Sequence, residues 1–305
     1  MKRITLVLLT LSLVACQNVR QAPMSSRGAK VAAPASQGIY DNHEQVWAAH
    51  ENAGAAQPPH VVATIEPTNQ ADWALWRVHL DANPPMDATW AMHSVAQSDG
   101  ALSFVPHRPL ATPAAAPAFD AQQWAALDAC TLRTPARATV ASAELAACAA
   151  IVPGIGTEAA LLPIAIERDG DFLHVRFYAD QARGADARED LRLVRWFGGW
   201  AAINGGGPKA DAASRDWHQD RALRIGTEGG RYALKWRDGN ASGYSLVLER
   251  LTYREGNVPV LKLSVVGDAD GATLAYAWAN PEATRIGINL GWVQVGLTLE
   301  AAPTK

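Results

Sequence analysis

Residues 171–180 read Asp-Phe-Leu-His-Val-Arg-Phe-Tyr-Ala-Asp (DFLHVRFYAD). Side chains on a β-strand alternate between its two faces, so Leu173, Val175 and Phe177 share one face and His174, Arg176 and Tyr178 the other. The same period of two recurs in WALWRVHL (73–80), where Arg77 and His79 oppose Trp76 and Val78, and in TWAMHSVAQ (89–97), where His93 follows Trp90. VVATI (61–65), LSFVPH (102–107), 159–167 and DLRLVRWF (190–197) alternate in the same way. Glycine-bearing turns separate such segments at Ser98-Asp99-Gly100, Asp169-Gly170, Glu228-Gly229-Gly230, Asp238-Gly239-Asn240, Glu255-Gly256-Asn257 and Asp268-Ala269-Asp270-Gly271. Short alternating strands with regular turns predict a mainly antiparallel β protein.

The glycine-rich stretch 205–216 is the best internal break, dividing a unit at 38–204 from a second all-β unit at 217–305, each large enough for its own core. Two short helices are expected. One is capped at Asp41-Asn42 and carries Val46, Trp47 and His50; the other follows Asp120 through AQQWAALDAC (121–130).

The chain opens with Lys2-Arg3, the apolar run Ile4–Val14 and then Ala15-Cys16, an export signal too short to span a bilayer. Leu13-Val14-Ala15-Cys16 resembles the bacterial lipobox, which implies that residues 1–15 are removed and Cys16 is lipidated. Gln17, where aspartate would retain the protein at the inner membrane, points to an outer-membrane lipoprotein facing the periplasm. Residues 16–37, rich in Ala, Ser, Gln and Pro, read as a tether between lipid and fold. Cys130 and Cys148 then remain in an oxidising compartment, and a disulfide is the economical expectation.

Export removes Lys2 and Arg3 from the 27 basic residues and leaves 25 against 30 acidic ones. That balance, with no basic stripe, argues against a nucleic-acid partner. Val152-Pro153-Gly154-Ile155-Gly156 lacks the third glycine and the βαβ setting of a phosphate loop. Asp268 and Asp270 lack the remaining calcium-loop ligands, and Ser242 lies outside a nucleophile-elbow pattern. No metal, cofactor or catalytic set stands out. The polar row of Arg77, His79, His93, His174, Arg176 and Tyr178 is the candidate pocket. It has two placements: lining a lumen, if these strands close into a barrel with the row inward, or facing water.

Gly38-Ile39-Tyr40-Asp41-Asn42-His43-Glu44-Gln45 is similar to a Gly-x-aromatic-Ser/Asp-Asn-x-x-Gln opening. Leu127-Asp128-Ala129-Cys130 with Cys148, Arg183-Gly184-Ala185-Asp186, and Trp196-Phe197-Gly198 follow in order. Together they make residues 38–204 resemble the T-type phycobilin lyase family (CpcT/CpeT), calycin-like β-barrels that attach bilins to phycobiliprotein cysteines. The resemblance implies a calycin-like antiparallel barrel with short helices, and Arg183–Asp186 as a loop between adjacent strands, with Gly184 at positive φ. Ala182 stands where the family has aspartate, and near Pro84-Pro85-Met86-Asp87 only proline survives of its pocket segment Pro-Tyr-Arg.

Three functions follow as expectations. The first is a lipid-anchored protein whose barrel binds a small amphipathic ligand without catalysis. The second is a bilin lyase. The third is an immunity or inhibitor lipoprotein that blocks a secreted hydrolase toxin through a protein interface.

Overall fold

The computed structural model describes residues 37–301, apart from 53, 98–100, 112–118, 136–137, 212 and 254–257. The expected signal peptide, Cys16, nearly all of the tether, and the turns at 98–100 and 255–257 lie outside the described residues.

Eleven strands build the first unit: β1 (Gly38–Asp41), β2 (His60–Pro67), β3 (Trp73–Asp81), β4 (Met86–Ala96), β5 (Leu102–Pro109), β6 (Trp124–Ala126), β7 (Leu132–Arg133), β8 (Val140–Ser142), β9 (Pro163–Asp169), β10 (Phe172–Phe177) and β11 (Glu189–Leu193). Their order is β4-β3-β2-β1-β11-β10-β9-β8-β7-β5, and a β4–β5 pairing closes ten of them into an antiparallel barrel, with β6 attached to β5. Helix α1 (His43–His50) forms where expected, its first amide His43 N–H held by Asp41 Oδ1 at 2.7 Å.

Which face points inward is decided by volume and polarity. Leu173, Val175 and Phe177 of β10 and Ala74, Trp76 and Val78 of β3 are buried inside, while their polar neighbours face out. Trp76 and Trp90 stand opposite each other on β3 and β4, and Tyr40, Met92, Phe104, Leu173 and Phe177 belong to the same core. The segment after α2 (Leu145–Ile151) inserts Ile155, Ala159, Leu161 and Leu162, and the carbonyl of Leu161 accepts from Trp90 Nε1 at 2.9 Å. The barrel interior is therefore a packed core. Burying the apolar row stabilises the fold by roughly 1.5–3 kcal/mol per large side chain, whereas burying the polar row would leave unpaired charge.

Cys130 and Cys148 are bonded, both fully buried, and tie α2 to the turn before β7. The helix expected over 121–130 does not form. Asp120 does cap a single 3-10 turn, Ala121–Gln123, but Trp124–Ala126 then pairs with β5 and Leu127 N–H bonds the Pro106 carbonyl at 2.9 Å. Tertiary strand pairing overrides the local helical spacing.

The second unit is a sandwich of β12 (Trp196–Asn204), β13 (Trp217–Gly226), β14 (Glu228–Lys235), β15 (Ala241–Tyr253), β16 (Val258–Gly267), β17 (Thr273–Ala279), β18 (Arg285–Asn289) and β19 (Val293–Leu299). Its sheets run β13-β12-β19-β18 and β14-β15-β16-β17 and share one core, including Phe197, Ile203, Leu223, Leu246, Leu248, Leu263 and Val295. This corrects the expected boundary. Residues 196–204, read as the end of the barrel, pair with β13 and β19, so the chain changes core at Val194-Arg195. DLRLVRWF is one alternating run in sequence, and only the pairing partners reveal that two units share it.

Charge joins the two units. Glu228, with its side chain fully buried, accepts from Arg192 of β11 at 2.7 and 3.0 Å and from Arg250 of β15 at 2.8 Å. Arg192 also reaches Glu44 of α1 at 2.7 Å, and His43 Nε2 lies 3.0 Å from Glu249. Gly229, at φ +71°, leaves room for the His43 ring; a Cβ there would sit 2.5 Å from it.

Candidate functional site

The loop between β10 and β11 holds the most concentrated chemistry. Tyr178–Arg183 winds into 3-10 turns that end at Gly184, whose φ of +127° suits glycine. The expected loop between adjacent strands is thus present, and Arg176 on β10 fastens it by donating to the Gly184 carbonyl at 3.0 Å.

Behind this loop, residues distant in sequence meet around Glu189, the first residue of β11. Asn42 Nδ2 donates to Glu189 at 2.7 Å and Arg183 Nη2 donates to its other oxygen. Arg183 also pairs with Asp180 at 3.1 Å, and Asp180 accepts the Phe177 amide at 2.7 Å. Gln45 completes the frame, donating to the Arg188 carbonyl at 2.9 Å and accepting from Asp190 N–H at 3.1 Å. So Asn42, Gln45 and Arg183, three of the residues singled out in sequence, do converge. Burial pushes the Glu189 carboxyl up to about 7, against the pull of Arg183, and pushes Asp180 upward by the same cause. Asp41, which accepts a hydrogen bond from the His60 ring at 2.9 Å, raises the His60 pKa.

A pH dependence follows. The folded-state pKa of Glu189 lies above the ordinary carboxylate value, so its stability contribution is present in acid, below the unfolded pKa. It is lost as pH rises through about 7, by roughly 3 kcal/mol from one pKa unit being about 1.4 kcal/mol. Glu189→Gln should flatten the fall in melting temperature between about pH 5 and pH 8. An unchanged slope in the variant would place the titration on another group.

In front of the loop lies an outer-wall groove of about 440 Å³. Val140, Ala165, Ile166, Ala185 and Ala187 give it apolar surface; Glu167, Asp186, Arg176 and Arg188 give it charge of both signs, and His174 lines it too. His174 Nδ1 meets Asp190 at 2.5 Å, and Arg188 is shared between Asp190 at 3.0 Å and Glu167 at 3.7 Å. Arg176 differs. Among the described residues no carboxylate stands within ion-pair distance of it, and its Nε is buried without a hydrogen-bond partner. Asp180, whose field it shares, is already engaged by Arg183 and the Phe177 amide.

The six residues expected to form one pocket do not meet. Arg77 and His79 are exposed, paired with Glu66 at 3.2 Å and Asp87 at 2.8 Å. His93 stacks on Trp73 at 4.3 Å, and Tyr178 packs against the barrel core. His174 and Arg176 share a cavity, and it is outside the barrel. The lumen placement fails because apolar volume fills the interior. Trp196 and Gly198 belong to β12 of the sandwich, with Arg224 stacked 3.9 Å over the Trp196 ring, and Asp186 lines the groove. Glu189 and Arg188 escaped the sequence reading, although both lie within six residues of Arg183.

Among the described residues no group of three or more metal-ligating side chains is close enough to hold an ion, and no helix is long and apolar enough to cross a membrane. Comparison of the chain with protein-family models, with curated proteins and with solved structures gives no match.

Proposed function

We propose that this is an exported, lipid-anchored binding protein whose barrel is a solid support and whose ligand, a small anionic amphiphile, sits in the outer groove beside the 183–188 loop. The observation that carries the reading is Arg176: a guanidinium that lines the groove with Val140, Ala165, Ile166 and Ala185 and has no carboxylate partner among the described residues. A ligand carboxylate would complete that guanidinium while its apolar body covers the alanines and valine, the usual division of labour in small-molecule sites. Anchoring through Cys16 at the outer membrane, facing the periplasm, rests on the Leu13–Cys16 signal and Gln17.

The test is a titration of wild type and Arg176→Ala with a linear tetrapyrrole dicarboxylate and a long-chain fatty acid. Losing a hydrogen bond to a charged group is worth about 1.5–3 kcal/mol, so the variant should bind roughly 10–100-fold more weakly. Its melting should fall only modestly, by the roughly 1 kcal/mol of the lost hydrogen bond to the Gly184 carbonyl, with the protein still folded. Equal affinity in both proteins would refute the groove.

The bilin-lyase reading has weaker support: Asn42, Gln45 and Arg183, which carry the resemblance, are engaged with one another and with Glu189 rather than with open space. The inhibitor reading is favoured by one feature, an exposed aromatic strand on the sandwich, which calls for a macromolecular occupant.

A further inference from the structure

Strand β17 ends its sheet, so among the described residues one of its edges is unpaired in the order β14-β15-β16-β17. Thr273-Leu-Ala-Tyr-Ala-Trp-Ala279 contains no charge and no proline, the devices by which edge strands ordinarily refuse partners. Its pattern is also inverted for a surface strand. The small residues Ala275, Ala277 and Ala279 turn toward the core, while Tyr276 and Trp278 point outward at 54% and 55% exposure. The two rings lie 5.1 Å apart at 27°, and the aromatic row continues through Tyr253, 5.5 Å from Trp278, to Trp47 on α1, 5.4 Å further.

We propose that β17 is the seam of a homodimer, pairing antiparallel with β17 of a second copy about a two-fold axis at Ala277 and joining two four-stranded sheets into one of eight. The ladder to β16 is regular from Ala275 to Ala279 and breaks at Leu274, where the register to Val265 and Val266 shifts, so the pairing segment is the five residues centred on Ala277. An axis there sets Tyr276 of each copy opposite Trp278 of the other, two aromatic cross-strand pairs on one face, and alanine opposite alanine beneath. Aromatic pairs directly opposite are the favoured contact of antiparallel sheets.

Area selects a second copy as the occupant at modest affinity. The half-exposed rings, Leu274 and the strand backbone cover on the order of 500 Å² per copy, which brings two copies to about 1,000 Å², the lower limit of a specific interface. Charge permits it as well. Lys262, 6.0 Å from the Tyr276 ring, is paired with Glu249 at 3.5 Å, so its charge is balanced beside the row.

The test uses the purified full chain in mild detergent. Sedimentation should show a concentration-dependent dimer. Trp278→Lys, a change at a half-exposed position that should leave the chain folded, should weaken the dimer at least tenfold, since it removes the aromatic pair and sets a charge on the edge strand on both sides of the axis. Mild oxidation of Ala277→Cys should give a reducible covalent dimer, because residues at the axis face themselves at about 4.5–5.5 Å. Tyr276→Cys should not crosslink, its copy being displaced to about 7–8 Å. A monomer at every concentration would overturn the proposal and leave the row to a different protein. A dimer that Ala277→Cys fails to crosslink, or that survives Trp278→Lys, would overturn the seam.

Discussion

Glu228→Ala should lower the unfolding free energy by about 3–5 kcal/mol, the cost of removing one partner from a buried ion pair. Glu228 answers two guanidiniums at once, Arg192 at 2.7 Å and Arg250 at 2.8 Å, both on side chains at most a tenth exposed. Burial pushes the Glu228 carboxyl upward and the two arginines pull it back, an arrangement that depends on all three being present. Without the carboxylate, two cations face each other in a dry seam. Arg192 keeps Glu44 and Arg250 keeps Asp171 at 3.3 Å, which places the loss within that range rather than above it. Since Arg192 belongs to the barrel and Glu228 and Arg250 to the sandwich, the variant should also uncouple the two cores, and urea unfolding should broaden or split. A single unshifted transition would mean that water already screens the cluster.

Replacing Cys130 and Cys148 together by alanine should cost about 2–5 kcal/mol. The bond closes a loop of sequence separation 18, and constraining a loop of that size in the unfolded chain is worth about 3 kcal/mol. Its position adds to the effect. It holds α2 against the turn at 128–130, and the chain leaving α2 delivers Ile155, Leu161 and Leu162 to the core around Trp90. Loosening it frees the segment whose Leu161 carbonyl satisfies the Trp90 indole. Thermal melts with and without reductant read this directly. Two alkylatable thiols in the folded protein would contradict the bond, and a melting temperature indifferent to reductant would contradict its weight.

Residue alternation made the antiparallel strands legible, and the family resemblance implied their closure into a barrel. Leu173, Val175 and Phe177 announce one buried face whatever their neighbours do, and the two cysteines were the natural pair once export was inferred. Three things were not legible. The alternation of β3 and β10 states that two faces differ, but the side that closes inward depends on whether Trp76, Trp90 and Phe177 together fill the interior, which is a property of the closed barrel. Trp124–Ala126 has helical spacing and becomes a strand because β5 offers it partners. The meeting of Asn42 with Glu189, 147 residues apart, follows from β1 lying beside β11, a neighbour relation that local pattern does not carry. The same holds for the boundary at Val194-Arg195, where one alternating run serves two cores.

The central claim is that the barrel is solid and that binding occurs on its outer wall at Arg176. Filling the groove tests it most directly. Ala185 is an exposed lining residue on the loop, far from the packed interior, so Ala185→Trp occupies the groove without touching the core. In calorimetric titrations with the same anionic amphiphiles, wild type should bind, while Ala185→Trp and Arg176→Ala should both lose binding; Ala185→Trp should keep the wild-type melting temperature and Arg176→Ala should melt slightly lower. Undiminished binding by both variants would put the ligand elsewhere and contradict the account.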